Sequence, residues 1–196
     1  MSTTSTPKRR IGATTDLALI ATFAALVAVC SVAAALPIGV NGVPITLQMF
    51  AIFLCGAVLG ARRGFLAVLL YLAVGAAGLP IFAGGTSGLA PFAGVTGGYL
   101  IAFPFAAFVV GFVVERAHRR NMAITATVVA IGGVLADLLV WVAGSVGISL
   151  YADTPFWTTL KGAAAYIPAD LAKLAVAAVV AAAVHRAFPT LLGRRG

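Results

Sequence analysis

Six long apolar runs, separated by short polar or glycine-rich segments, set the strongest limit on what this sequence can fold into. An α-helix crosses the hydrocarbon core of a bilayer with about 20 predominantly apolar residues. The chain is 62% hydrophobic and 9% charged over 196 residues, whereas a soluble domain is typically about 45–50% apolar and 25% charged. The sequence therefore predicts an all-α integral membrane protein, a bundle of six transmembrane helices. The predicted spans are residues 17–36, 45–60, 64–79 and 98–114, one within 122–150 and one within 162–188.

Lysine and arginine residues cluster on one side of this predicted bundle. Eleven of the thirteen precede span one, follow span six, or lie between spans two and three and between spans four and five. Cytoplasmic loops carry an excess of these residues, so both termini are predicted to be cytoplasmic. The chain then divides into a cytoplasmic tail at 1–16, one membrane domain at 17–188 and a basic cytoplasmic tail at 189–196. The clusters form no basic stripe on one surface, so we expect no nucleic-acid partner.

A charged start followed by an apolar run is also typical of a cleaved signal peptide. Residues 33–35 even offer the small side chains that a cleavage site needs. Here the apolar run is long and further spans follow it, so we expect it to remain as span one.

A glycine-rich segment lies between spans three and four, on the predicted outer side. Residues 79–99 hold several glycines and two prolines but no charge. Glycine permits tight turns and close approach of the backbone to a ligand. Irregular backbone at membrane depth is tolerated where it lines a cavity. We predict that this segment folds back over the outer mouth of the bundle; a flexible connector is the alternative.

Asp170 and Lys173 form an ionisable pair within predicted span six. Residues three apart share one face of a helix, and charges inside a membrane usually mark function or pairing. Pro168 suits the first turn of a helix, which places both residues near the outer end. A carboxylate acceptor beside an ammonium donor complements a cyclic urea, in which N–H donors flank a carbonyl acceptor. A salt bridge that only neutralises itself fits the pattern equally well.

Three further polar residues lie within or at the start of spans. Asp137 is compatible with pairing to Lys173, with facing a wet cavity or with packing. Gln48 and Tyr99, at the outer starts of spans two and four, are suited to bonding a polar ligand or another helix. No cluster with metal-ligand spacing is present in the sequence, so we expect no metal and no cofactor.

Several aromatic residues and a histidine lie near predicted span ends. Trp141, Trp157 and Tyr151 fit the aromatic belt at the membrane–water interface. His185, near the end of span six, is expected at the same kind of interface.

Small residues line one face of span one. Ala21, Ala25 and Ala28 are spaced four and three residues apart, so they form one helical stripe. Such a face permits close helix contact, either inside the bundle or against a partner protein. The sequence contains no Walker A motif, so an ATP-driven process would need its ATPase on another chain.

Five segments match, in order, motifs of a known family. They are G-V-P-I-T-L-Q at 42–48, R-R-G at 62–64, Y-L-A-V-G-A-A-G-L-P-I-F-A-G-G at 71–85, T-G-G-Y-L at 96–100 and I-P-A-D-L-A-K at 167–173. Together they resemble the BioY family, the biotin-binding S components of energy-coupling-factor (ECF) vitamin transporters. The resemblance runs from about residue 16 to residue 187.

This resemblance implies a six-helix fold that captures biotin near the outer face of a prokaryotic plasma membrane. Asp170 and Lys173 match the acid and base that would hold the ureido ring, and residues 82–86 match a glycine-rich lid over the ligand. The other matched positions are Phe82, Gly84, Gly85, Thr86, Tyr99 and Gln48. The implied partners are biotin, a transmembrane coupling subunit and two ATP-binding cassette ATPase subunits. The stripe of Ala21, Ala25 and Ala28 resembles the surface that docks on the coupling subunit.

Two other functions fit parts of the same sequence. A solitary secondary carrier or facilitator for biotin or another small solute would use Asp137 in proton coupling. A membrane-embedded enzyme acting on a lipid would use Asp170 as a base, but no nucleophile or metal motif supports it.

Overall fold

The computed structural model describes residues 12–33, 42–117, 121–188 and 191–192. These residues form α-helices joined by short turns, and an isolated β-bridge joins Phe82 to Thr86. The helices are α1 (Ala13–Val32), α2 (Gln48–Leu59), α3 (Ala61–Ala76), α4 (Gly97–Arg116), α5 (Met122–Ala152), α6 (Phe156–Ala163) and α7 (Ile167–Ala187). The predicted all-α class is confirmed.

Four helical segments of the described chain are long and apolar enough to cross a membrane. They are α1, α4, α5 and the stretch Phe156–Ala187, which joins α6 to α7. Helix α2 is apolar but has only 12 residues, and α3 has 16 and contains an arginine pair. Six crossings therefore stay a prediction, and the end of predicted span one lies outside the described residues.

Two helices begin or end away from their predicted limits. Helix α3 lies three residues earlier than predicted because Gly78, with φ +112°, ends it before Pro80. Helix α5 continues for 31 residues, and α6 then returns along it: the Thr159 hydroxyl donates to the Ser145 carbonyl at 3.1 Å. The predicted sixth span is thus preceded by a separate short helix.

Close contacts at glycines fix how α4, α5 and α7 pack. A Cβ at Gly98 would overlap the backbone of Ala143, and one at Gly144 would overlap the ring of Tyr99. The start of α4 therefore lies against the last third of α5. Similarly, a Cβ at Gly133 would overlap the side chain of Leu174, which joins the middle of α5 to α7.

The bundle has two distinct ends. One, here called the loop end, carries the starts of α2, α4 and α7 and residues 42–47 and 77–96. The Tyr166 hydroxyl donates to the Val43 carbonyl there at 2.7 Å. The other, the basic end, carries Arg62, Arg63, Arg116 and Arg186. Helix α1 begins and α7 ends at the basic end, because Arg63 contacts both Asp16 and Leu191.

Candidate functional site

A cavity of about 670 Å³ lies at the loop end, between α2, α4, α5 and α7. Pockets for small organic ligands are typically about 300–1,000 Å³ and mostly apolar, with a few placed polar groups. This cavity fits that description. Its polar lining side chains are Thr46, Gln48, Thr86, Ser87, Thr96, Tyr99, Asp137, Trp141, Tyr151, Tyr166, Asp170 and Lys173.

Asp170 and Lys173 lie in the first two turns of α7 and both face this cavity. The Lys173 Nζ donates to Asp170 Oδ1 at 2.7 Å, and the two side chains are only 12% and 14% exposed. The predicted shared face is confirmed, and the pair is both a salt bridge and part of the cavity wall. A carboxylate oxygen and an ammonium group therefore stand side by side where a solute can reach them.

Tyr99 places a polar atom in the cavity wall without a partner. Its side chain lines the cavity from the first turn of α4. The hydroxyl is buried and has no hydrogen-bond partner among the described residues. Buried polar groups nearly always have a partner. An orphaned hydroxyl in a cavity wall is therefore a candidate ligand contact.

Gln48 has a structural role as well as a place in the cavity. Its Nε2 donates to the Tyr71 hydroxyl at 2.9 Å, and that hydroxyl donates to Ser31 Oγ at 3.1 Å. This buried chain of hydrogen bonds links α2, α3 and α1. The predicted bond to another helix is confirmed, and a bond to a ligand stays a prediction for a residue that also lines the cavity.

Phe82 anchors the glycine-rich segment rather than covering the cavity loosely. Its ring is 1% exposed and packs edge-to-face on Tyr71 and Phe92, with ring centroids 5.5 and 5.6 Å apart. Gly75 of α3 leaves room for this ring, because a Cβ there would overlap it. The Gly88 N–H also donates to the Gly75 carbonyl at 2.8 Å. Two contacts to α3 therefore fix the segment in place.

The tip of the segment is a tight turn closed by backbone hydrogen bonds. The Phe82 N–H donates to the Thr86 carbonyl at 3.0 Å. Gly84 and Gly85 have φ of +71° and +75°, in the region that favours glycine. A Cβ at either would meet nothing within 4 Å, so backbone conformation and not crowding requires glycine. Gly85 and Thr86 line the cavity, whereas Gly84 does not.

Sequence reasoning did not assign Trp141 and Tyr166 to the site, although both line the cavity. The Trp141 Nε1–H donates to the Leu160 carbonyl at 3.1 Å, so this half-buried residue contacts α6 as well as the cavity, and its place in an aromatic belt stays a prediction. Trp141 follows Asp137 by four residues, which places both on one face of α5. That spacing was the signal available in the sequence. Tyr166 directly precedes the I-P-A-D-L-A-K motif, but tyrosine alone carried no signal.

His185 lies near the end of the last helix, as the sequence indicated, but its side chain faces the bundle interior. It is buried near the end of α7, with Nε2 2.7 Å from the Ala57 carbonyl of α2. A carbonyl of a neighbouring helix thus satisfies the imidazole inside the bundle, and the interfacial depth of His185 stays a prediction.

The small-residue stripe of α1 is divided between two environments. Ala21 and Ala25 are exposed on the outer surface of the bundle, whereas Ala28 is half-buried and packs against the core. The adjacent Ala24 belongs to the core. The first two therefore form an open surface of small side chains, and their docking role stays a prediction.

These features define a helical membrane protein with a solute-sized, polar-lined cavity at one end. The chain matches the BioY family over residues 1–190, and it therefore belongs to the BioY family. It is 42% identical to the biotin transporter BioY of Rhodobacter capsulatus, over 92% of this chain and 98% of the relative. It is 35% identical to a probable biotin transporter BioY of Pyrococcus horikoshii, over 85% and 93% of the two chains.

A solved structure supports the same assignment. The chain is similar to the S component for biotin from an ECF-type ABC transporter, seen in a crystal structure at 2.1 Å, with a TM-score of 0.79 and 28% identity. The match covers 90% of this chain and 95% of the other. The family places this chain among transport proteins, so the lipid-enzyme interpretation is dropped.

Proposed function

We propose that this chain is the biotin-binding S component of an ECF-type importer. The Asp170–Lys173 pair in the cavity wall carries the proposal, since a ureido ring offers N–H donors and a carbonyl acceptor to such a pair. The cavity volume and the unpartnered Tyr99 hydroxyl agree with a small, partly polar ligand. The names of the relatives point to the same ligand.

Six membrane spans with both termini in the cytoplasm are part of this proposal. Helix α2 is about 18 Å long by its 12 residues, so residues 42–47 would complete its passage towards the loop end. Arginines at the basic end favour the cytoplasm for that end. The loop end, with its glycine-rich segment, then faces outward. Cysteine labelling at residues 5 and 194 from outside intact cells would contradict this topology.

The partners follow from the same assignment. A transmembrane coupling subunit would dock on the exposed part of the α1 stripe, at Ala21 and Ala25. Two ATP-binding cassette ATPase subunits would complete the importer in a prokaryotic plasma membrane, since this chain has no Walker A motif.

Biotin titration into the purified chain, without ATP and without partner subunits, tests the proposal. We expect saturable binding at one site per chain. Failure of the folded protein to bind biotin would refute it. Uptake by the chain alone that collapses with an uncoupler but survives loss of ATP would instead indicate a secondary carrier.

A further inference from the structure

Asp137 is a second carboxylate in the same cavity, and the site described so far gives it no function. It lies on α5 and lines the cavity with Asp170 and Lys173. Among the described residues, the ion pairs are Arg63–Asp16 and Lys173–Asp170, and neither includes Asp137. No hydrogen bond from a described residue reaches its carboxylate either.

The packing of α5 against α7 places Asp137 beside the ionisable pair. The two helices run antiparallel and touch where Leu174 covers Gly133. Asp137 lies four residues after Gly133, and Asp170 lies four residues before Leu174. In antiparallel helices, these steps of about one turn lead in the same direction. The two carboxylates therefore stand at the same level of the bundle.

An ionisable group within a membrane bundle is costly unless it is paired or lies in a wet cavity. Asp170 has Lys173 as its partner, whereas Asp137 has no cation within salt-bridge distance among the described residues. Its immediate neighbours Leu138 and Leu139 point outward from the bundle. The carboxylate is thus directed into the cavity without a partner, which costs free energy. A hydrogen-bond donor on a ligand would offset that cost.

We propose that Asp137 accepts one N–H of the ligand's cyclic urea, while Asp170 accepts the other and Lys173 donates to the carbonyl. This assignment rests on the proposed function. A cyclic urea presents two donors and one acceptor, and the site presents two carboxylates and one ammonium group. The single pair of Asp170 and Lys173 would leave one urea N–H without an acceptor. Two carboxylates also disfavour the ligand's own carboxylate nearby, which directs it away from this end of the cavity.

The test combines variants of Asp137 with biotin analogues that carry a methyl group on one or the other ureido nitrogen. The matched control is Asp153→Asn, because Asp153 is an exposed acid at the C-terminus of α5 that does not line the cavity. Hydrogen bonds to charged groups contribute enough for about 10- to 100-fold in affinity. We expect that loss for biotin in Asp137→Ala, a smaller loss in Asp137→Asn, and none in Asp153→Asn.

The analogues identify which atom Asp137 contacts. In the parent, both mono-methyl analogues should bind at least tenfold more weakly than biotin, because each removes one donated N–H. In Asp137→Ala, one of the two methylation penalties should disappear while the other persists. This pattern requires a direct contact, since a general structural defect would weaken all three ligands equally.

Each other outcome has a definite meaning. Biotin affinity of Asp137→Ala within twofold of the parent, or full persistence of both penalties, would overturn the assignment of Asp137. If either methyl analogue binds the parent protein as tightly as biotin does, that result alone overturns the assignment, and no variant is needed. A parent that binds no biotin would overturn the proposed function itself, and this assignment with it.

Discussion

The two ends of the bundle differ in how their polar groups are partnered. At the basic end, Arg63 pairs with Asp16 at 2.8 Å and donates to the Leu191 carbonyl at 2.9 Å. The Glu115 carboxylate accepts from the Ala61 N–H at 3.0 Å. At the loop end, by contrast, the Tyr99 hydroxyl has no partner among the described residues. These groups at the basic end have partners within the chain, whereas the Tyr99 hydroxyl at the loop end is available to a group outside it.

Glycines differ between the basic end and the tip of the glycine-rich segment, although the glycines where the start of α4 packs on α5 are crowded as well. A Cβ at Gly111 would overlap Ala61, and one at Gly60 would overlap the Glu115 side chain, so the basic end is closely packed. At the loop end, a Cβ on Gly84 or Gly85 would meet nothing. We therefore expect substitutions at the loop end to change ligand affinity, and substitutions at the basic end to change the stability of the fold.

The largest effect on affinity is expected at the ionisable pair. Lys173→Met or Asp170→Asn leaves one buried charge without its partner, which typically costs about 3–5 kcal/mol. Biotin affinity should fall by about two to three and a half orders of magnitude, as measured by calorimetric titration. Leu171→Ala, at an exposed position of the same helix, is the control and should bind like the parent. If both charge variants fold and bind biotin normally, the pair is only a salt bridge.

A smaller effect is expected at the tip of the glycine-rich segment. In Gly84→Val with Gly85→Val, two residues must adopt positive φ, at roughly 1–2 kcal/mol each. The turn should open, and biotin association should slow by about tenfold or more in stopped-flow binding. Leu89→Val serves as the control because Leu89 is exposed in the same segment with φ −88°. Unchanged association and dissociation rates would make the segment a simple connector.

At the basic end, a substitution should lower the stability of the fold and leave biotin affinity unchanged. Arg63→Gln removes a partly exposed ion pair and a hydrogen bond, and such pairs contribute up to about 1 kcal/mol. We expect the melting temperature to fall by a few degrees while biotin affinity stays unchanged. The control is Arg62→Gln, since its neighbour Arg62 takes part in neither ion pair of the described chain. A loss of affinity in Arg63→Gln without a loss of stability would break the contrast between the ends.

Local sequence signals predicted much of this architecture. Apolar runs marked the long helices, and Pro168 marked the start of α7, because both signals depend on residues adjacent in the chain. The face shared by Asp170 and Lys173 followed from their spacing alone. Glycine at 84 and 85 indicated either a tight turn or close approach to a ligand, and the structure has a tight turn with positive φ at both.

The sequence could not predict how each helix is rotated. Asp137 faces the cavity because Leu174 packs on Gly133, a contact between distant parts of the chain. His185 is buried against α2, where the Ala57 carbonyl lies within hydrogen-bonding distance of its imidazole. Such contacts leave no pattern in the neighbouring sequence. The sequence therefore could not predict whether a single residue such as Asp137 or His185 faces the interior of the bundle or its surface.

The smallest effect on affinity is expected at Ala25 of α1, which does not line the cavity. Ala25 is exposed, so Ala25→Leu should fold normally and bind biotin like the parent. A larger side chain on this surface would hold a partner helix away, so ATP-dependent uptake and co-purification with a coupling subunit should both fall. Ala24→Leu provides the contrast one residue earlier, since Ala24 is 7% exposed and overpacking a core typically costs about 1–3 kcal/mol. That variant should lower the melting temperature instead. Normal uptake and normal association in Ala25→Leu would assign this surface to lipid rather than to a partner.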